Sequence, residues 1–139
     1  MHVPDGFLSP VLTLPAWGAA APLWYWSARR SFGTSVTERL PVMGALTALA
    51  FVAQTLMIPV PGGTSTHVTG AAVIAILFGP ATAFTCESLV LLLQAVLLGA
   101  GGLTVLGVNA LAMGLLGPAV AWLVDRALRR FSGRAAAFA

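Results

Sequence analysis

Between Arg39 and Asp125 the chain carries one formally charged side chain, Glu87. Helices or strands built from such a stretch have no polar face to turn toward water, so apolar groups must surround them on nearly every side. The whole chain follows suit: 58% of its 139 residues are hydrophobic and 8% charged, with mean hydropathy +0.93, where soluble domains carry about 25% charged residues. These values describe an integral membrane protein. The length leaves room for roughly five spans of about 20 residues and no sizeable soluble domain, so function must lie within or between helices.

The expected architecture is therefore an all-α polytopic membrane protein, a single domain over residues 1–139. An N-terminal segment, about 1–9, precedes spans near 10–28, 41–58, 64–78, 81–98 and 103–124, and a basic tail covers 125–139. Trp24, Tyr25 and Trp26 stand just before Arg29 and Arg30, as aromatic residues do where a helix reaches the headgroup layer. Pro59 and Pro61 stop the second span, and Gly62 and Gly63 permit tight turns, so a polar Pro/Gly-rich loop joins spans two and three. The third span is short unless it begins back at Thr64, the pattern of irregular backbone lining a site at membrane depth. The N-terminus lacks a basic leader, its first basic residue being Arg29, so Met1 is read as the mature terminus. The lone Cys86 lies in an apolar segment and is read as a packing residue.

All seven basic residues are arginines: Arg29, Arg30 and Arg39 after the first span, and Arg126, Arg129, Arg130 and Arg134 after the fifth. The positive-inside rule makes both regions cytoplasmic. Five spans satisfy that condition, with the N-terminus outside and the C-terminus in the cytoplasm of a prokaryotic cell (inner) membrane. The N-terminal segment and the loop after the second span then share the outer face.

That loop carries His67, and the only other histidine is His2. Position 2 can offer an imidazole, its own backbone amide and the adjacent amine of Met1 to one metal ion, closing two small chelate rings, with His67 supplying a fourth nitrogen. The amine titrates near 7.7–8.0 and imidazole near 6.5, so both become neutral donors around neutral pH. An all-nitrogen tetragonal set suits Ni(II) or Cu(II), with Co(II) also accommodated, better than the oxygen-seeking Mg(II) or Ca(II). From residue chemistry alone a structural or interfacial role for two histidines stands beside the ligand reading.

The opening Met1-His2-Val3-Pro4-Asp5-Gly6-Phe7-Leu8-Ser9-Pro10 resembles the N-terminal signature of the substrate-capture subunits of energy-coupling-factor cobalt and nickel transporters, the CbiM/NikM family. Further matching stretches run from Pro59 to His67, over Leu77-Phe78-Gly79-Pro80 with Gln94, and from Gly101 through Asn109 to Gly114. The resemblance implies Co(II) or Ni(II) as transported ligand, held by the Met1 amine, the amide and imidazole of His2 and the imidazole of His67. It implies uptake for cobalamin synthesis or nickel enzymes, without a choice between the metals. It also implies no enzymatic activity in this chain: ATP hydrolysis would belong to two cytoplasmic ATPase subunits, reached through a transmembrane coupling subunit, with a small auxiliary membrane subunit assisting. Membrane lipid is the remaining partner, and no nucleic acid is expected. Relatives usually continue for further hydrophobic helices beyond the point this chain reaches.

Three residues are candidates for supporting the ligands. Asn109 shares a helical face with Met113 and could turn its amide toward a histidine, or bond another helix instead. Thr64 and Ser65, with Thr66, could orient His67 or cap a helix beginning there, capping being the preferred reading. Asp5 reads as a turn residue before Gly6. Glu87 falls in mid-span, where an ionised carboxylate is costly; with Gln94 seven positions on, it reads as a polar stripe facing the bundle interior. The alternatives to a transport subunit are a non-transporting, metal-responsive membrane accessory and, more remotely, a membrane-embedded hydrolase, which lacks a well-placed general base among Asp5 and Glu87.

Overall fold

The structure is a computed structural model and describes residues 2–32, 38–62 and 64–136; Met1 lies outside them. It is mostly helical, with five helices among the described residues. Helix α1 covers Pro10–Ser31 and α2 Leu40–Thr55; a two-stranded hairpin, β1 Ile58–Val60 and β2 Thr64–Thr66, leads to the short α3, Ala71–Phe78. Helix α4, Pro80–Leu93, runs on through a wider π-helical stretch, Gln94–Leu98. The last helix opens with α5, Leu106–Asn109, widens into a π-helical stretch, Ala110–Leu116, and continues as α6, Gly117–Ala136. Two helices, Pro80–Leu98 and Leu106–Phe131, are long and apolar enough to cross a membrane.

The largest boundary differences from the sequence expectation lie at the third and the last helix. The third helix begins at Ala71, not near Thr64, because Thr64–Thr66 pair antiparallel with Ile58–Val60, in the register Ile58 to Thr66, Pro59 to Ser65 and Val60 to Thr64. β-branched threonines suit extended backbone, and Gly62, at φ +103°, supplies the turn that only glycine adopts readily. The N-cap of α3 is Gly70, without a side-chain cap bond, so the threonines do not cap it. At the other end, the helix does not stop near residue 124: α6 continues through the arginine-bearing segment 125–136.

Packing is inverted relative to a soluble protein. Fully or nearly buried positions include Ser27, Gln54, Thr82, Glu87, Ser88, Gln94 and Asn109, while Val11, Leu14, Leu49, Val96, Leu116 and Leu123 face outward. In lipid that arrangement leaves apolar side chains in apolar surroundings and gathers polar ones where they bond across helices. Helix α4 is the hub and touches every other helix. Along its seam with α1, Ser31 Oγ donates to Thr82 Oγ1 at 3.3 Å, Thr85 Oγ1 to Ser27 Oγ at 3.0 Å, and Trp24 Nε1 to Ser88 Oγ at 2.8 Å. On its other side Gln54 of α2 donates its Nε2 to both carboxylate oxygens of Glu87, at 2.9 and 3.0 Å. Glu87 and Gln94 are both wholly buried on α4 and its π-helical extension, the interior polar stripe expected of them.

The chain ends that matter meet at one end of this bundle. The start of α1, the end of α2, the hairpin, the start of α3, the end of α4 and the start of α5 all converge there, and α1 and α5 press backbone to backbone: a Cβ on Gly107 would lie 3.0 Å from the Ala16 carbonyl carbon and the Trp17 nitrogen. The opposite end holds the C-termini of α1 and α6 and the α3–α4 corner, and carries the arginines.

Candidate metal centre

His67 follows β2 directly and is 7% exposed. It is pressed inward because the segment after it runs against α2: a Cβ on Gly70 would sit 2.7 Å from the Ala50 Cβ, so only glycine fits there. His2 enters from the other side on the N-terminal segment, and the two imidazole centroids stand 5.1 Å apart, tilted by 46°. His2 Nε2 and both ring nitrogens of His67 are buried without a hydrogen-bond partner, an unusual state for buried polar atoms. The six such side-chain atoms among the described residues belong to only four residues: these two histidines, Gln54 and Gln94. Among the described residues no third His, Cys, Asp or Glu joins the pair to form a metal-holding group.

Burial, then the neighbouring His67, pushes the His2 imidazole down to about 4. Burial lowers His67 as well. Both rings are thus held in the neutral form that donates a lone pair, at a pH where free histidine would be partly protonated. Two neutral imidazoles 5.1 Å apart, with three of their ring nitrogens buried and partnerless, can act together on one electrophile placed between them.

The N-terminal segment is held through the Val3 backbone and the Asp5 side chain. Asn109 Oδ1 accepts from the Val3 amide and Asn109 Nδ2 donates to the Val3 carbonyl, each at 3.1 Å. The amide of Asn109 therefore engages the residue after His2, not a histidine ring. Two residues further on, Asp5 accepts from the backbone amides of Leu103, at 3.1 Å, and Thr104, at 2.8 Å, and from the Thr104 hydroxyl at 2.5 Å. These bonds hold its carboxyl below the usual range, those from Thr104 first. The Thr104 carbonyl also accepts from Trp17 Nε1 at 2.9 Å, joining the loop to α1. The glycines of this loop make the approach possible: Gly101, at φ +87°, would place a Cβ 3.0 Å from the His2 Cβ, and a Cβ on Gly102 would overlap Asp5.

Of the sequence candidates, the structure brings together His2, His67 and Asn109. Met1 lies outside the described residues. Thr64 and Ser65 stand in β2, opposite Val60 and Pro59. Sequence reasoning missed Asp5 as an anchor, along with Gly102 and Thr104; a turn does form there, with Phe7 N bonded to Pro4 O at 3.4 Å, but its acid reaches almost a hundred residues along the chain. The only signal was the pairing of one early acid with a glycine-rich loop able to present free backbone amides.

Residues 2–139 match the family described as the cobalt uptake substrate-specific transmembrane region, CbiM. The chain is 40% identical over 131 residues to the cobalt transport protein CbiM of Roseiflexus sp. (strain RS-1), covering 93% of this chain and 53% of that protein. It is also 40% identical over 121 residues to the fused nickel transport protein NikMN of Rhodobacter capsulatus, covering 87% of this chain and 35% of that one. A crystal structure of a truncated transition metal transporter superposes with a TM-score of 0.84 at 32% identity, covering 95% of this chain and 62% of that one. The chain thus spans about a third to about three fifths of the length of these proteins. With that match over nearly its whole length, the chain belongs to the CbiM family of cobalt uptake substrate-specific transmembrane proteins.

Proposed function

We propose that this chain is the metal-capture membrane subunit of an energy-coupling-factor transporter that takes up Co(II) or Ni(II). The ion is held by the amine of Met1, the backbone amide and imidazole of His2, and the imidazole of His67. One observation carries this reading: the only two histidines, 65 positions apart in sequence, meet with three ring nitrogens buried and partnerless. A purely structural pair would use those nitrogens in hydrogen bonds. The lack of a third side-chain ligand among the described residues supports recruiting main-chain and terminal nitrogens. The names of the relatives, cobalt and nickel transport proteins, support the choice of metals.

In this reading five helices span a prokaryotic cytoplasmic membrane, the N-terminal segment lies outside, and the arginine-bearing ends of α1 and α6 lie inside. Asn109 serves the site indirectly, by fixing Val3 and hence the peptide that presents His2. Thr64 and Ser65 set the hairpin that delivers His67. ATP hydrolysis belongs to two separate ATPase subunits that act through a transmembrane coupling subunit, with a small auxiliary membrane subunit assisting loading. The metal supplies cobalamin synthesis or nickel enzymes.

Calorimetric titration of the purified protein with Ni(II) and with Co(II) tests the ligand set. One ion per chain is expected, with binding lost on His2→Ala, on His67→Ala and on adding a single residue before Met1. Stoichiometric binding of undiminished affinity by the extended protein would remove the amine from the site.

A further inference from the structure

Glu87 is the one formally charged side chain between Arg39 and Asp125, and it is wholly buried. Its neighbours hold it in place without neutralising it. On one side Gln54 Nε2 stands 2.9 and 3.0 Å from its two oxygens. On the other, a Cβ on Gly114, in the π-helical stretch Ala110–Leu116, would lie 3.5 Å from the Glu87 Cβ and 3.6 Å from its Cγ; such stretches are frequent at functional sites. The other elements around α4 offer no counter-charge. α2, α3, α5 and both π-helical stretches carry no titratable side chain. On α1, Tyr25 is exposed and bonded to Arg29, and on α6 Asp125 is paired with Arg129, the only ion pair among the described residues. The Cys86 thiol, beside Glu87 on α4, is bonded to Thr47. An ionised carboxylate is expensive in such surroundings.

Gln54 suits either charge state of this carboxyl. Its Nε2 donates to both oxygens of the ionised form, and the amide turned over accepts the proton of the neutral form on Oε1. That Oε1 is buried without a hydrogen-bond partner, an unpaired acceptor beside the one buried acid among the described residues. The pair also adjoins the elements that deliver both histidines. Gln54 lies one turn beyond Ala50, against which the segment after His67 packs at Gly70. From Glu87, α4 climbs two turns, about 10 Å, to the wholly buried Gln94. The Gln94 carbonyl accepts from the Ala100 amide at 3.1 Å, and the next residue, Gly101, is the one that lies against His2.

Capture of a divalent ion changes the charge of this interior. An amide nitrogen binds a metal only after losing its proton, so a dication on two neutral imidazoles, an amine and the His2 amide leaves one net positive charge. We propose, on the reading that Co(II) or Ni(II) binds there, that Glu87 is a proton-exchange site: it holds a proton in the metal-free protein and releases it when the ion is captured. One dication enters, the His2 amide proton and the Glu87 carboxyl proton leave to water, and the charge of the interior is unchanged. Departure of the ion requires both protons back, which ties metal release to proton supply.

Calorimetric titration of the purified full chain with Ni(II) at pH 7.5, in buffers of differing ionisation enthalpy, counts the protons released per ion. Glu87→Gln keeps an acceptor for Gln54 but holds no titratable proton. It should release about one proton fewer than the parent, and its log Kd should vary with pH with a slope smaller by about one. Infrared difference spectra of the parent read the carboxyl directly: the carbonyl stretch of a protonated acid, present without metal, should vanish on adding Ni(II) and be absent from Glu87→Gln. The other acids do not supply that band, since Asp5 is held ionised by Thr104, Asp125 is paired with Arg129 and Glu38 is exposed. An equal proton count in parent and Glu87→Gln, or a metal-free parent without the band, would overturn the exchange and leave the metal centre standing. A parent that binds no Ni(II) would remove the centre and the exchange together. If Glu87→Gln does not fold, the infrared band of the parent decides.

Discussion

Replacing Asn109 by alanine isolates the docking of the N-terminal segment from the ligands themselves. Asn109 is 5% exposed and makes two bonds of 3.1 Å to the amide and carbonyl of Val3. Alanine is the best helix former, so α5 itself should survive the change. Each lost bond is worth about 1 kcal/mol net, more where the remaining backbone group stays shielded from water, so docking weakens by about 2 kcal/mol, a factor of about 30. If ligand geometry requires the docked segment, the apparent Kd for Ni(II) rises by up to that factor, because the competent fraction of the protein falls. Competition with a chelator of known affinity at pH 7.5 measures the shift, and hydrogen exchange at the Val3 amide reports docking directly. An Asn109→Ala protein that binds Ni(II) within two-fold of the parent, with Val3 exchange unchanged, would refute the idea that this amide positions the site.

Three further outcomes are expected. Gly102→Ala should expel the segment, since a Cβ there overlaps Asp5, and lower metal affinity at least ten-fold, whereas Gly18→Ala and Gly44→Ala, which open into free space, should bind as the parent does. The His2 imidazole, driven from 6.5 to about 4 on folding, is neutral in the folded protein where the unfolded chain takes up a proton. Its contribution to stability is present above pH 6.5 and lost as pH falls from there toward 4; NMR titration should find its midpoint near 4 in the metal-free protein, and a midpoint near 6.5 would show that the ring is not buried as described. Gln54→Ala should lower thermal stability by about 2–3 kcal/mol by taking the donor from both oxygens of the buried Glu87. Glu87→Gln should cost less in the same melt, because an amide still accepts from Gln54 and carries no charge.

How much of this was legible in the chain depends on the range over which each interaction acts. The helices could be placed because uninterrupted apolar stretches and their Pro, Gly and Arg punctuation act locally; α1 begins at Pro10 and α4 at Pro80 for reasons visible within a few residues. The third helix was drawn too long because Thr64–Thr66 are polar neighbours of an apolar run, and only their partners in β1, lying across the turn, decide for strand. The two histidines were recognisable as a pair by rarity and topology. The means of holding them together were not, since the bonds from Asn109 to Val3 and from Leu103 and Thr104 to Asp5 join residues about a hundred positions apart and leave no local pattern.

Those distant bonds also explain how so few chemically special residues could suffice. Asn109 contacts only main-chain atoms of Val3, and Asp5 receives mostly main-chain donors from the loop. The position of His2 is therefore set by bonds that each pair one buried or anchored side chain, Asn109 or Asp5, with peptide groups of fixed spacing. The segment 2–9, outside any helix, would otherwise sample many conformations, at a cost of about 1–2 kcal/mol for each residue ordered on binding. Ordering it beforehand, through Asn109, Asp5 and the glycines that admit both, moves that cost from the binding step to folding. The consequence is specific: side-chain changes at Val3, which leave its peptide groups in place, should alter metal affinity far less than the single exchange Asn109→Ala, although Val3 is the residue beside the proposed ligand and Asn109 lies 106 positions away in α5.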